Sequence, residues 1–180
     1  MAQTAPNRTV RTVFLAVVVL ACLACDQATK HLASGHLSDG RRISRLGGMV
    51  QLQYAENSGG FLGLGSGLDP RIRFTAFVLL VSITLMLVCF YALRGSGIGR
   101  ADLLAAALIV GGGLGNLADR LQYGAVRDFL VLGVGNLHTG VFNAADLAIT
   151  GGTLILFLSI FRRIILGRRR PTVRRMWFEK

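Results

Sequence analysis

FTAFVLLVSITLMLVCFYAL, residues 74–93, decides the architecture of this chain. No charge interrupts it, and ~20 apolar residues are what a helix needs to cross ~30 Å of hydrocarbon. A core helix of a soluble bundle would show a polar face at helical spacing, and residues 78–89 have almost none, as do residues 13–24. Working outward, residues 10–25, 103–117 and 141–161 form three further apolar runs. They account for a mean hydropathy of +0.55 in a 180-residue chain that is 52% hydrophobic. The expectation is one integral membrane domain over residues 1–180, an all-α membrane protein with four transmembrane helices.

A net charge of +11 would suit a nucleic-acid binder, but its distribution argues otherwise. Twelve basic residues fall in the N-terminus, the connection between spans two and three, and the tail after span four. With four spans these lie on one side, where only Asp102 and Glu179 oppose them; the other side holds eight basic and seven acidic residues. Basic residues mark the cytoplasmic side, so both termini are expected there. The basic tail, residues 162–180, is expected on anionic membrane lipids at ~1 kcal/mol per charge, with no nucleic acid as partner. Cys22, Cys25 and Cys89 lie within apolar spans and are read as packing residues. His31, His36 and His138 form no ligand pair, so no metal or other cofactor is expected.

Arg8 and Arg11 followed by Val19-Leu20-Ala21-Cys22 imitate a secretory signal ending in a lipoprotein-type cysteine. Three more spans follow, so the first run is read as a retained helix. Between spans one and two, residues 49–54 alternate partly and break at Asn57-Ser58-Gly59-Gly60-Phe61. A small extracytoplasmic β-sheet or saddle is expected from about 40–65, with a simple glycine-turned hairpin as the alternative. In span three, Gly111 and Gly115 share one helix face and permit close packing, with Gly151 and Gly152 of span four as a possible matching surface. Asp102 is read as a helix cap, and Asp39 and Asp69 as turn residues.

The unusual polar residues map to one membrane face: Asp26, Asn57, Asn116, Asp119, Arg120, Asp128, Asn143 and Asp146. A carboxylate at the edge of hydrocarbon is a candidate functional group. Asn143 and Asp146, three apart, share the first turn of span four, where a helix N-terminus favours the ionised carboxylate. Asp128 stands among apolar residues, which favours its protonated form. Two carboxyls brought together cannot both ionise cheaply, so one keeps a proton, an arrangement suited to hydrolysis. Equally, each could cap a helix or pair with Arg120 or Arg127. Asp119-Arg120 read as an ion pair or a scaffold tying span three to its neighbours, and Asp26 with Lys30, four apart, as a local pair. The serines lack a plausible base. A membrane scaffold, a small proton or cation transporter, or a processed lipoprotein would be the competing classes. Ionisable groups gathered at one face, without internal repeats, disfavour the transporter.

Five segments together resemble the bacterial lipoprotein signal peptidase family: Asp26-Gln-Ala-Thr-Lys30, Asn57-Ser-Gly-Gly-Phe61, Gly112-Gly-Leu-Gly-Asn116-Leu-Ala-Asp119-Arg120, Val126-Arg-Asp128-Phe129 and Phe142-Asn-Ala-Ala-Asp146. They follow the family's order. The resemblance implies an aspartic endopeptidase of the inner membrane, inhibited by globomycin, using no metal, with its active site facing the periplasm. It would remove signal peptides from diacylglyceryl-modified prolipoproteins by cleaving before the lipidated cysteine, acting as a monomer. The resemblance puts catalysis on Asp128 and Asp146. It gives substrate-binding or supporting roles to Asp26, Lys30, Asn57, Gly59, Asn116, Asp119, Arg120, Asn143 and Ala145. Two departures stand out: Phe61 comes one position early for the family's Asn-x-Gly-x-x-Phe, and Gly133, Gly135 and Gly140 make the stretch between the aspartates glycine-rich, so that a gate there would be less apolar than usual.

Overall fold

A computed structural model describes residues 7–59, 67–95 and 98–167 of the chain. Phe61 and the tail beyond residue 167 lie outside the described residues. Four helices, α1 (Arg8–Leu37), α2 (Pro70–Arg94), α3 (Arg100–Tyr123) and α4 (Ala144–Gly167), are each long and apolar enough to cross a membrane. The first runs twelve residues past the apolar stretch that marks it in the sequence. Leu15, Val19, Asp26, Lys30, Ala33 and Leu37 recur at helical spacing and form its buried stripe, so the polar residues continue the helix instead of ending it. Asp69 starts α2: its side chain accepts from the Arg71 and Ile72 amides at 2.9 and 3.4 Å, with Pro70 at the first helical position.

The hub is α3. Of its apolar window 61% is buried, against 11–17% for the other three helices. Its glycines explain how three neighbours approach at once. A Cβ at Gly111 would meet Cys22 Cβ of α1 at 2.7 Å, one at Gly112 would meet the Ala145 carbonyl of α4, and one at Gly113 would strike Leu85 of α2. Gly115 faces the Asp26 carboxylate. Gly111 and Gly115 therefore do share the face against α1. Of the expected counterparts on α4, Gly152 packs on the Ala105 carbonyl, whereas Gly151 has nothing within 4 Å. Asp102 caps α3 through the Gly99 amide at 2.9 Å, and also accepts from Ser159 at 2.6 Å and pairs with Arg163, both on α4.

An antiparallel sheet, in the order β1 (Arg42–Arg45), β2 (Val50–Asn57), β3 (Val126–Val134) and β4 (Leu137–His138), lies at the opposite end of the bundle from Asp102. The expected sheet between the first two helices is present, and the connection between α3 and α4 supplies its other half. Ala55 pairs with Asp128 and Asn57 with Val126, after an irregularity in β2 between Leu52 and Ala55. Phe142 bridges Leu130, which brings the start of α4 beside β3. The glycines between the aspartates build a hairpin: Gly133 lies against His138, and Gly135, at φ 60°, makes the turn.

Candidate active site

Each segment reaches the site for a local reason. A pair of reciprocal bonds starts α4: Asn143 Oδ1 accepts from the Asp146 amide at 2.9 Å, and Asp146 Oδ2 accepts from the Asn143 amide at 3.2 Å. Asp146 is thus a capping residue whose second oxygen still takes the Asn116 amide of α3 at 2.8 Å. Asp128 is held in β3 by Asn143 Nδ2 at 2.6 Å and by Asn57 Nδ2, from the end of β2, at 3.2 Å. Asn143 also donates to Asn116 Oδ1 at 3.1 Å. The two carboxyls are therefore joined through two asparagines, one touching both. Asp128 is only 2% exposed; burial first, and the neighbouring Asp146 carboxyl second, push it up to about 6.

Beneath this pair lies a buried ionic lattice. Lys30, fully buried, donates to Asp26 at 2.8 Å, Asn116 at 2.9 Å and Asp119 at 3.2 Å. Asp26 takes the Ala145 amide at 2.9 Å, so Ala145 serves through its backbone, docking the first turn of α4 on α1. Asp119 does not pair with Arg120. It accepts from Arg127 through the backbone amide at 2.9 Å and the guanidinium at 2.7 and 3.3 Å. Residues adjacent on a helix point in different directions, which separates Asp119 from Arg120. Arg120 instead reaches the Gly59 carbonyl at 3.1 Å and lies over the Phe77 ring, 5.4 Å from its centroid. Its Nε is buried without a protein partner among the described residues. The Gly59 amide is turned onto Asn57 Oδ1 at 3.1 Å, which orients the amide that meets Asp128.

Two members of this lattice were not singled out from sequence. Gln27 donates to Asp26, Asp119 and the Gly115 carbonyl and accepts from Arg127 at 3.0 Å. Arg127 figured only as a possible partner of the aspartate pair. Both stand inside quoted motifs, so their place beside Asp26 and Asp128 was the available signal. Charge counting adds a constraint. Four carboxyls (Asp26, Asp119, Asp128, Asp146) face three cations (Lys30, Arg120, Arg127), and the cluster is neutral when one carboxyl holds a proton. A buried charge without a partner is expensive, so neutrality favours that state. Asp128, with only amide partners and a raised pKa, is the group placed to hold it.

Residues 18–162 match the family model described as signal peptidase II. The lipoprotein signal peptidase of Desulforapulum autotrophicum is 33% identical over 151 residues, covering 83% of this chain and 93% of that protein. That of Leifsonia xyli subsp. xyli is 36% identical over 179 residues, covering 93% and 78%. A bacterial membrane enzyme structure determined by the in meso method has a TM-score of 0.77 at 19% identity, over 88% of this chain and 94% of that one, which is a likeness of fold.

Proposed function

The chain belongs to the signal peptidase II family, and from that premise we propose that Asp128 and Asp146 are the catalytic pair of an aspartic endopeptidase. The protein is a membrane peptidase that removes signal peptides from prolipoproteins. The finer reading is cleavage of the peptide bond before a diacylglyceryl-modified cysteine, by a monomer of the inner membrane with the aspartates facing the periplasm and both termini in the cytoplasm.

In this mechanism Asp146, ionised at the N-terminus of α4, takes a proton from water as its oxygen attacks the scissile carbonyl carbon. Asp128 gives its proton to the carbonyl oxygen. The tetrahedral intermediate then collapses: the carbon–nitrogen bond breaks, the cysteine nitrogen takes the proton from Asp146, and the hydroxyl proton returns to Asp128. Asn143 and Asn57 hold Asp128 and Asn116 holds Asp146, while Arg120, anchored on Gly59, offers its Nε–H to a substrate carbonyl. Asp26, Lys30, Asp119 and Ala145 keep the two segments in register. The observation that carries the reading is the shared asparagine cradle around two carboxyls of different surroundings.

The test is purified protein incubated with a diacylglyceryl-modified prolipoprotein, with and without globomycin. Cleavage before the cysteine, blocked by the inhibitor, is expected. Asp128→Asn and Asp146→Asn should each lower the rate by at least about 10²- to 10⁴-fold while leaving insertion intact. Full activity in either variant removes the aspartic mechanism.

A further inference from the structure

Amides hold the Asp128 carboxyl, yet the strand that carries it is irregular at the very next residue. Leu52 pairs with Leu130 and Ala55 with Asp128, so two residues of β2, Gln53 and Tyr54, stand opposite Phe129. On the other side of β3, the Phe129 and Leu130 amides both donate to the Phe142 carbonyl, at 3.0 and 2.8 Å. A ladder interrupted on both sides restrains rotation about the strand axis only weakly. A small rotation would carry the Asp128 carboxyl away from Asn143 and Asn57.

Arg127 is placed to set that rotation. Successive side chains of a strand leave on opposite faces, so β3 cannot turn Asp128 out of its cradle without pulling Arg127 out of another. The buried Arg127 guanidinium donates to Asp119 through Nη2 at 2.7 Å and Nε at 3.3 Å, and Nη2 also donates to Gln27 Oε1 at 3.0 Å. Its Cζ stands over the Tyr123 ring, 4.4 Å from the centroid. The Arg127 amide meets the same Asp119 carboxylate at 2.9 Å, so backbone and side chain of one residue grip one acceptor. Asp119 in turn accepts from Lys30, Lys30 donates to Asn116, and Asn116 donates to Asp146. One buried carboxylate thereby locates both members of the pair, Asp128 through Arg127 and Asp146 through Lys30 and Asn116.

We propose that Arg127 is a positioning residue for the cleavage reaction: clamped among Asp119, Gln27 and Tyr123, its guanidinium fixes the rotation of β3 and so the place of the Asp128 carboxyl. The role rests on the catalytic reading of Asp128, through which alone Arg127 acts. It demands the fork geometry and flat stacking face of a guanidinium, and a lysine brings the charge without either.

The test is steady-state cleavage of a diacylglyceryl-modified prolipoprotein by purified Arg127→Lys over a range of pH, beside Asp128→Asn and Asp102→Ala. Arg127→Lys should lower kcat about 10- to 100-fold with KM within about threefold of the parent, as misplaced chemistry does and lost binding does not. Burial and the Asp146 carboxyl raise the pKa of Asp128, while its bonds to Asn143 and Asn57 lower it. A carboxyl that loses those bonds while staying buried keeps its proton longer, so the fall of kcat/KM with rising pH should move upward in the variant. A merely structural arginine would instead behave like Asp102→Ala, with a lower unfolding temperature but the turnover and pH profile of the folded protein kept. That pattern in Arg127→Lys, full activity, or a raised KM at unchanged kcat would each overturn the clamp. If Arg127→Lys does not fold, Tyr123→Leu, at a half-exposed ring, carries the comparison: kcat about 2- to 5-fold lower at unchanged KM is expected, and parental kcat overturns the clamp. An inactive Asp128→Asn beside a fully active Arg127→Lys removes the clamp and leaves the catalytic reading intact. An active Asp128→Asn removes the catalytic reading, and the clamp with it.

Discussion

Asp128 stands at about 6 where an ordinary aspartate stands at 3.8, so its proton should be visible in both stability and rate. Between those values the folded chain holds a proton that the unfolded chain has released. The stability this contributes is complete below pH ~4 and is lost as pH rises through ~6. Thermal unfolding in detergent should therefore show a midpoint that declines over that interval in the parent and flattens in Asp128→Asn. An unchanged slope in the variant would assign the proton elsewhere. In the parent, kcat/KM should fall as pH rises above ~6, because the proton donor is lost. The preference of this residue for its protonated form was legible in sequence, since it stands in a largely apolar stretch next to a span. Its partners were not. Asn143 and Asn57 are separated from it by 15 and 71 positions, and only the bridge between Leu130 and Phe142 and the pairing of β2 with β3 bring them together. The same limit hid the pairing of Asp119 with Arg127.

Among the elements, α3 is the least tolerant, because its glycines face three partners. A methyl group at Gly115 would enter the Asp26 carboxylate, which holds Lys30 and the Ala145 amide. Gly115→Ala is expected to lower stability by ~1–3 kcal/mol and to depress cleavage further by displacing α4. Gly151→Ala, with open space around it and a better helix former, should keep or slightly raise the unfolding temperature. Equal tolerance at both positions would contradict the role of α3 as hub. The spans themselves were plain in sequence because hydrocarbon demands unbroken apolar length. The last three turns of α1 were not, since Asp26 and Lys30 read as the end of a span until α3 supplies their partners. The strand β3 was equally hidden. After Arg127 and Asp128, residues 129–134 are apolar throughout, and a short apolar run carries no periodicity that separates strand from loop.

Across the whole molecule, polar chemistry gathers at one end, and a tie of Asp102 with Ser159 and Arg163 helps to close the other. That tie joins α3 and α4, which also carry Asn116 and Asp146 at the other end, so loosening it should be felt as lost stability more than lost chemistry. Asp102→Ala is expected to cost ~1–3 kcal/mol in thermal unfolding by leaving Ser159 and Arg163 without their acceptor. Cleavage by the folded fraction should stay within a few-fold of the parent. A collapse in turnover without loss of stability would mean that the far end governs the site. The balanced ionic lattice has a consequence for biogenesis. Asp26 arrives with Lys30, Asp119 with Arg120, and Arg127 with Asp128, so each of these stretches can leave the insertion machinery electrically quiet and exchange partners afterwards. Only α4 comes with a lone acid at its leading edge, the Asp146 carboxyl. This helix, made after the other three, would therefore complete the circuit, and a chain that lacks it would leave the lattice, while Asp128 keeps its proton, with one cation more than its acids balance.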